Sequence, residues 1–129
     1  MEGRIQIVAE EALGALKKFE ANKITGGERE GLYNVDVTFE GGIDDKRSIE
    51  NKFRDGFEKL FKSGLPIWEI WLRKKGKLID KFGTESDQLI YKVSMTKETA
   101  ARINWGNKLV IEFPSLWEPH FIHPALLKD

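Results

Sequence analysis

Hydrophobic residues first recur at helical spacing. Ile5, Val8, Ala9, Ala12, Leu13, Leu16 and Phe19 form one stripe, with Glu10, Glu11, Lys17 and Lys18 opposite. The period predicts an amphipathic helix from Ile5 to Ala21. Gly14 inside it costs up to about 1 kcal/mol relative to alanine and marks close packing on another element. Asn22 to Glu30, with Thr25-Gly26-Gly27, is loop chemistry. From Leu32 to Glu40 the period changes to two. Tyr33, Val35, Val37 and Phe39 point one way, and Asn34, Asp36, Thr38 and Glu40 the other, which describes a strand with one buried and one wet face. Gly41-Gly42 ends it, and Asp44 or Asp45 is placed to cap the next helix.

That helix, Lys46 to Lys62, carries Ile49, Phe53, Phe57, Leu60 and Phe61 on one stripe, and Ser63-Gly64 stops it. Strand, helix and strand in this order predict a crossover connection. Leu65 to Phe82 then reads as a β-hairpin, with Pro66 at its start, Trp68 and Trp71 on the first arm, and a basic turn at Lys74 to Lys77. Alternation sends the two tryptophans to opposite faces, Trp68 with Ile70 and Leu72 toward the core, Trp71 with Ile67, Glu69 and Arg73 outward. Leu89, Tyr91, Val93 and Met95 mark a further strand. Thr96 caps a short helix near 97–103, and Lys108 to Phe113 reads as a last strand. Residues 114–129 are punctuated by Pro114, Pro119 and Pro124 yet hold Leu116, Trp117, Phe121, Ile122, Leu126 and Leu127. So apolar a terminus is expected to dock on the body or on a partner.

The elements sum to an α+β two-layer sandwich in a single domain spanning 1–129. A mostly antiparallel sheet of about five strands carries two main helices on one face, with no internal repeat. Composition agrees, since 129 residues with 40% hydrophobic and 33% charged positions can bury a core without staples. With no cysteine, a disulfide scaffold, a thiol nucleophile and thiolate metal sites are excluded. No apolar run is long enough to span a bilayer, so membrane partners are not expected. Glu2, Arg4, Glu10 and Glu11 interrupt any leader-like run, which makes the cytoplasm the expected location.

Lysine plus arginine and aspartate plus glutamate both number 21, giving a net charge of zero. A protein built to hold a phosphate backbone carries a positive excess, so nucleic acid becomes an alternative partner. Its best support is Arg73, Lys74, Lys75 and Lys77 beside Trp71, where cations meet phosphates and an exposed ring stacks on a base. Lysines at hairpin tips and edges also guard against aggregation, which accounts for the same residues without nucleic acid.

Both histidines lie in the tail, and Glu118, His120 and His123 offer ligand types suited to zinc. The flanking prolines oppose a regular helix that would converge them, and no further ligand stands nearby. The segment from Phe39 to Arg47 passes from strand to helix as phosphate loops do. It lacks the lysine ending of such loops, and Asp44 and Asp45 would repel an anion. Ser48, Ser63, Ser86, Ser94 and Ser115 sit outside any nucleophile elbow, so no catalytic residue and no cofactor are expected, and a small enzyme or metal-binding protein using Glu118, His120 and His123 is a further alternative.

The aromatic residues decide the reading. Trp71, Trp105, Trp117 and Phe121 lack an assured place in a core this small, and such residues concentrate at contact hot spots. The expected function is a binding or accessory module contacting another protein through Trp71, Arg73, Lys74, Lys75, Lys77, Trp117 and Phe121. Self-association would occupy the same residues.

Overall fold

The computed structural model describes residues 1–41 and 45–127. Helix α1 (Glu2–Leu13) is followed by strands β1 (Leu16–Lys23) and β2 (Tyr33–Phe39) and helix α2 (Lys46–Phe61). Strands β3 (Ile67–Ile79) and β4 (Glu85–Thr96) come next, then helix α3 (Lys97–Arg102), two kinked 3₁₀ turns over Trp105–Val110, and strand β5 (Glu118–Ile122). The sheet order is β1-β2-β3-β4-β5, with β2 and β3 parallel and every other pair antiparallel. The fold is α+β, a mixed sheet with α1 and α2 on one face. Among the described residues no helix is long and apolar enough to cross a membrane.

The core forms where helix stripes meet the inward alternation of the strands. Ile5, Ala9 and Leu13 of α1 and Ile49, Phe53, Phe57 and Leu60 of α2 are buried against Val35, Val37, Phe39, Ile70, Leu72, Val93 and Met95. Asp45 caps α2, its carboxylate accepting from the Ser48 amide at 2.9 Å and the Ser48 hydroxyl at 2.8 Å. The bond from the amide, then that from the hydroxyl, holds this carboxyl below its usual range. Asp44, the other candidate cap, lies outside the described residues. The close approach expected at Gly14 belongs to Gly56, where an added Cβ would stand 3.1 Å from Leu13 Cδ2 and 3.3 Å from Leu72 Cδ1.

Several expected elements are corrected. The first helix stops at Leu13 because Gly14 takes a φ of +83°, and the chain reverses into a strand. A bulge between Leu16 and Lys18 sets Leu16, Phe19 and Ala21 on one face despite their uneven spacing, which imitates a helical stripe. The hairpin does not turn at Lys74 to Lys77, because β3 runs unbroken to Ile79. The reversal is made at Asp80, whose carboxylate accepts from the amides of Phe82 and Thr84 at 2.8 and 3.0 Å, and at Gly83 with φ +82°. Residues 108–113 are not a strand. Asn104 caps the 3₁₀ turn at 105, Pro114 opens another, and Trp105 stacks on Phe113 at 5.5 Å.

Phe53 sits at the centre of the aromatic core, edge-on to Phe39 at 6.0 Å, Tyr91 at 5.0 Å and Trp117 at 5.7 Å. Trp117 is 3% exposed, so it leaves the set of contact residues. Trp117→Ala should lower the free energy of unfolding by about 3–5 kcal/mol in urea denaturation, as a large cavity in a dense core does. Tyr91 donates its hydroxyl to Glu50 Oε2 at 2.6 Å. Burial first, and that carboxylate second, raise its phenol well above the ordinary range. The neutral phenol therefore adds stability that is complete below the unfolded pKa near 10 and fades as pH rises through and beyond it. Tyr91→Phe should flatten the alkaline fall in stability, measured by urea midpoints from about pH 8 to about pH 11.

Candidate interaction face of the sheet

The helices cover one face of the sheet and leave the other uncovered. Alternation sends Asn34, Asp36 and Thr38 of β2, Glu69, Trp71, Arg73 and Lys75 of β3, and Lys92, Ser94 and Thr96 of β4 to this second face. The parallel register sets Asp36 opposite Trp71 and Thr38 opposite Arg73, while the antiparallel register sets Ser94 opposite Trp71 and Lys92 opposite Arg73. The middle of a polar face thus carries one tryptophan ringed by charge.

Trp71 is half-buried. Its ring stacks on His120 of β5, with centroids 4.1 Å apart and planes inclined by 22°. Its indole N–H donates to Glu69 Oε1 at 3.0 Å, and the Lys92 ammonium lies 5.0 Å from the ring centroid. Cation and quadrupole attract in this geometry. His120 Nε2 and Ser94 Oγ share a hydrogen bond of 2.7 Å. A bulge between Lys92 and Val93 leaves His120 between the paired residues Pro119 and Phe121, within reach of Ser94 and Trp71.

Arg73 forms a fork on Asp36, with Nε and Nη2 each donating at 2.8 Å to separate carboxylate oxygens. That pairing raises the guanidinium above its already high range, against a smaller opposing effect of burial. Beyond the fork a groove of about 550 Å³ runs between Lys17, Lys18, Glu20, Thr38, Lys75 and Leu89. Lys18 pairs with Glu20 at 3.2 Å.

The residues expected to make contacts separate here. Trp71, Arg73 and Lys75 share the uncovered face, and Phe121 stands opposite Lys92, 41% exposed. Lys74 is only 1% exposed and donates to the carbonyls of Glu40 and Lys75, so it is an internal tie rather than a surface cation. Lys77 lies farther along β3, and Trp117 belongs to the core. Trp68 reverses the expectation that placed it inside. The register passes from Tyr33–Ile67 directly to Asn34–Glu69, so Trp68 occupies a bulge, half-buried, with the Arg29 guanidinium 3.7 Å above its ring.

Glu118, His120 and His123 do not converge as ligands. Among the described residues no three histidine or carboxylate groups gather around a point. His120 is bound to Ser94, and His123 Nδ1 accepts from the Ala125 amide at 3.0 Å. Asp36, Lys92 and Ser94 were missed as site residues, although the alternation of β2 already put Asp36 on the wet face. In comparison with known proteins, no family model, no curated protein and no solved structure matches this chain.

Both partners of the Arg73–Asp36 fork are about one-third exposed. A double-mutant cycle of Arg73→Ala and Asp36→Ala should give a coupling of about 0.5–1 kcal/mol in unfolding free energy. The coupling should shrink when measured in about 1 M salt.

Proposed function

We propose that this protein is a binding module that engages another protein through the uncovered sheet face centred on Trp71. The observation that carries the reading is the Trp71–His120 stack, a large aromatic pair held in the middle of a wet, charged face. A tryptophan beside a forked arginine, surrounded by polar groups, has the composition of an interface hot spot and its rim. Phe121 and the lysine-lined groove beyond Arg73 widen the same surface.

Nucleic acid fits the face less well. One side of the Trp71 ring is taken by His120, with the Lys92 ammonium also over the ring, so the indole offers poor room for a stacking base. Arg73 is already neutralised by Asp36, Lys74 points inward, and the chain as a whole has no positive excess. A second copy of the chain is the competing occupant and is distinguished by sedimentation at increasing concentration.

The test begins with the partner recovered by crosslinking from the source cell and then purified. Titrated with Trp71→Ala, it should bind at least about tenfold more weakly, and with His120→Ala detectably more weakly. The thermal midpoint of each variant should move by no more than about 3–5 °C, the effect of roughly 1 kcal/mol in a chain of this length. Unchanged affinity for Trp71→Ala, or a loss of stability as large as a core tryptophan gives, would end the proposal.

A further inference from the structure

The ribbon of β3 and β4 outruns the rest of the sheet. The last β2–β3 pair is Phe39 with Lys74, whereas β3 stays paired to β4 through Lys75, Gly76, Lys77, Leu78 and Ile79. On the β2 side, these five residues have no ladder partner among the described residues. A sheet edge of this kind presents a row of backbone donors and acceptors, and an extended peptide joins it by continuing the ladder. Five residues give a slot about 17 Å long.

The surroundings of that edge define what would enter. Beside it lies a groove of about 600 Å³, bordered by Leu13 to Lys17 at the turn from α1 to β1, by Glu40 and Gly41 at the end of β2, and by Lys52 of α2. Lys75, Gly76, Lys77 and Asp87 form its floor. Four lysines thus face two carboxylates. Glu40 is matched by Lys17 at 3.5 Å, and Asp87 stands opposite Lys77 in the register. Lys52, Lys75 and Lys77 have no ion pair within 4 Å among the described residues. Alternation puts Lys75 and Lys77 on one face of β3 and Gly76 and Leu78 on the other. An entering strand would then meet Lys75 and Lys77 on one side, and Gly76 and Leu78 with Lys52 of α2 at the border on the other.

We propose that the β3 edge from Lys75 to Ile79 is a docking slot for an extended acidic segment of a partner protein, in which carboxylates alternate with small apolar residues. The backbone ladder supplies affinity independent of sequence, and the lysines select for acid. Nucleic acid has no peptide ladder to offer, and among the described residues no aromatic ring lines the slot for a base to stack on. The slot shares Lys75 with the Trp71 face but takes its ladder from the β3 edge, which the peptide assay reads alone, so either proposal can fail without the other.

The probe is a fluorescein-labelled hexapeptide of alternating glutamate and valine, added to the full chain and followed by anisotropy. It should bind and should lose affinity as salt rises. The lysine–valine counterpart, and a glutamate–valine peptide N-methylated at alternate amides, should each bind at least about tenfold more weakly. The double variant Lys75→Glu and Lys77→Glu should also weaken the acidic peptide about tenfold, while Lys23→Glu at the far end of β1 leaves it unchanged. Far-ultraviolet circular dichroism verifies the fold of each variant, and if the double variant is unfolded, Lys52→Glu replaces it with the same expectation. Equal binding of the N-methylated or the basic peptide would overturn the proposal. So would no binding at about 1 mM, or full displacement by a single-stranded oligonucleotide of about ten nucleotides. A dimer that is lost on the same charge reversal and that excludes the peptide would place a second copy in the slot, which also overturns it.

Discussion

The contact on which the arrangement of both sheet faces depends is buried beneath them, where Phe53 meets Trp117. Phe53 is presented by α2, and its ring edges touch aromatic groups from β2, from β4 and from the segment preceding β5. Trp117 also lies against Phe57 at 6.0 Å. With that indole fixed, the next residue begins β5, and the strand has only to fall along β4 to complete the sheet. His120 arrives over Trp71 as a consequence of that docking. The apolar tail is therefore a means of positioning, because a tryptophan in the core holds a histidine on the opposite face.

A second constraint acts at the end of β2. Burying an ammonium costs several kcal/mol unless its donors are satisfied. Lys74 meets this condition by donating to the Glu40 carbonyl just beyond β2 and to the carbonyl of its own neighbour Lys75. It also lies 5.9 Å from the Phe39 ring centroid. The lysine thus ties the place where β2 leaves the sheet to the place where β3 continues with β4 alone. Among the described residues, the part of β3 without a ladder partner on the β2 side begins at the next residue, so the internal tie marks that boundary.

The fold class was legible because two segments carry clean periods, β2 at two and α2 at 3.6. Two of the misreadings trace to bulges, which break the rule that alternate residues share a face. At Leu16–Lys18 a bulge made a strand look helical, and at Trp68 it took out of the core a residue that alternation had put there. At Lys92–Val93 another gave His120 a stacking role that no spacing announces. Gly76 and the surrounding lysines resemble a turn in composition. The real turn relies on the Asp80 side chain and the positive φ of Gly83, features that a charge-rich stretch farther upstream obscured. Trp117 had no assured place in the core because no regular element was legible around it, although a proline-punctuated segment docks as firmly as a strand when its tryptophan is buried.

A net charge of zero likewise described the whole chain and concealed its parts. The basic run of β3 was read as one patch at a hairpin tip, whereas a strand distributes neighbours to different places. Arg73 goes to the uncovered face and is neutralised by Asp36. Lys74 goes inward and is held by carbonyls. Lys75 and Lys77 point to the same side as Arg73 but lie past the end of β2, where Asp87 of β4 stands opposite Lys77 and, among the described residues, neither lysine makes an ion pair within 4 Å. Cations adjacent in sequence therefore have different electrostatic surroundings, and among the described residues those past the end of β2 are the ones in this run without a paired carboxylate or carbonyl. What distinguishes them is the length of β2, since Asp36 can reach Arg73 and nothing on β2 extends far enough to reach Lys77.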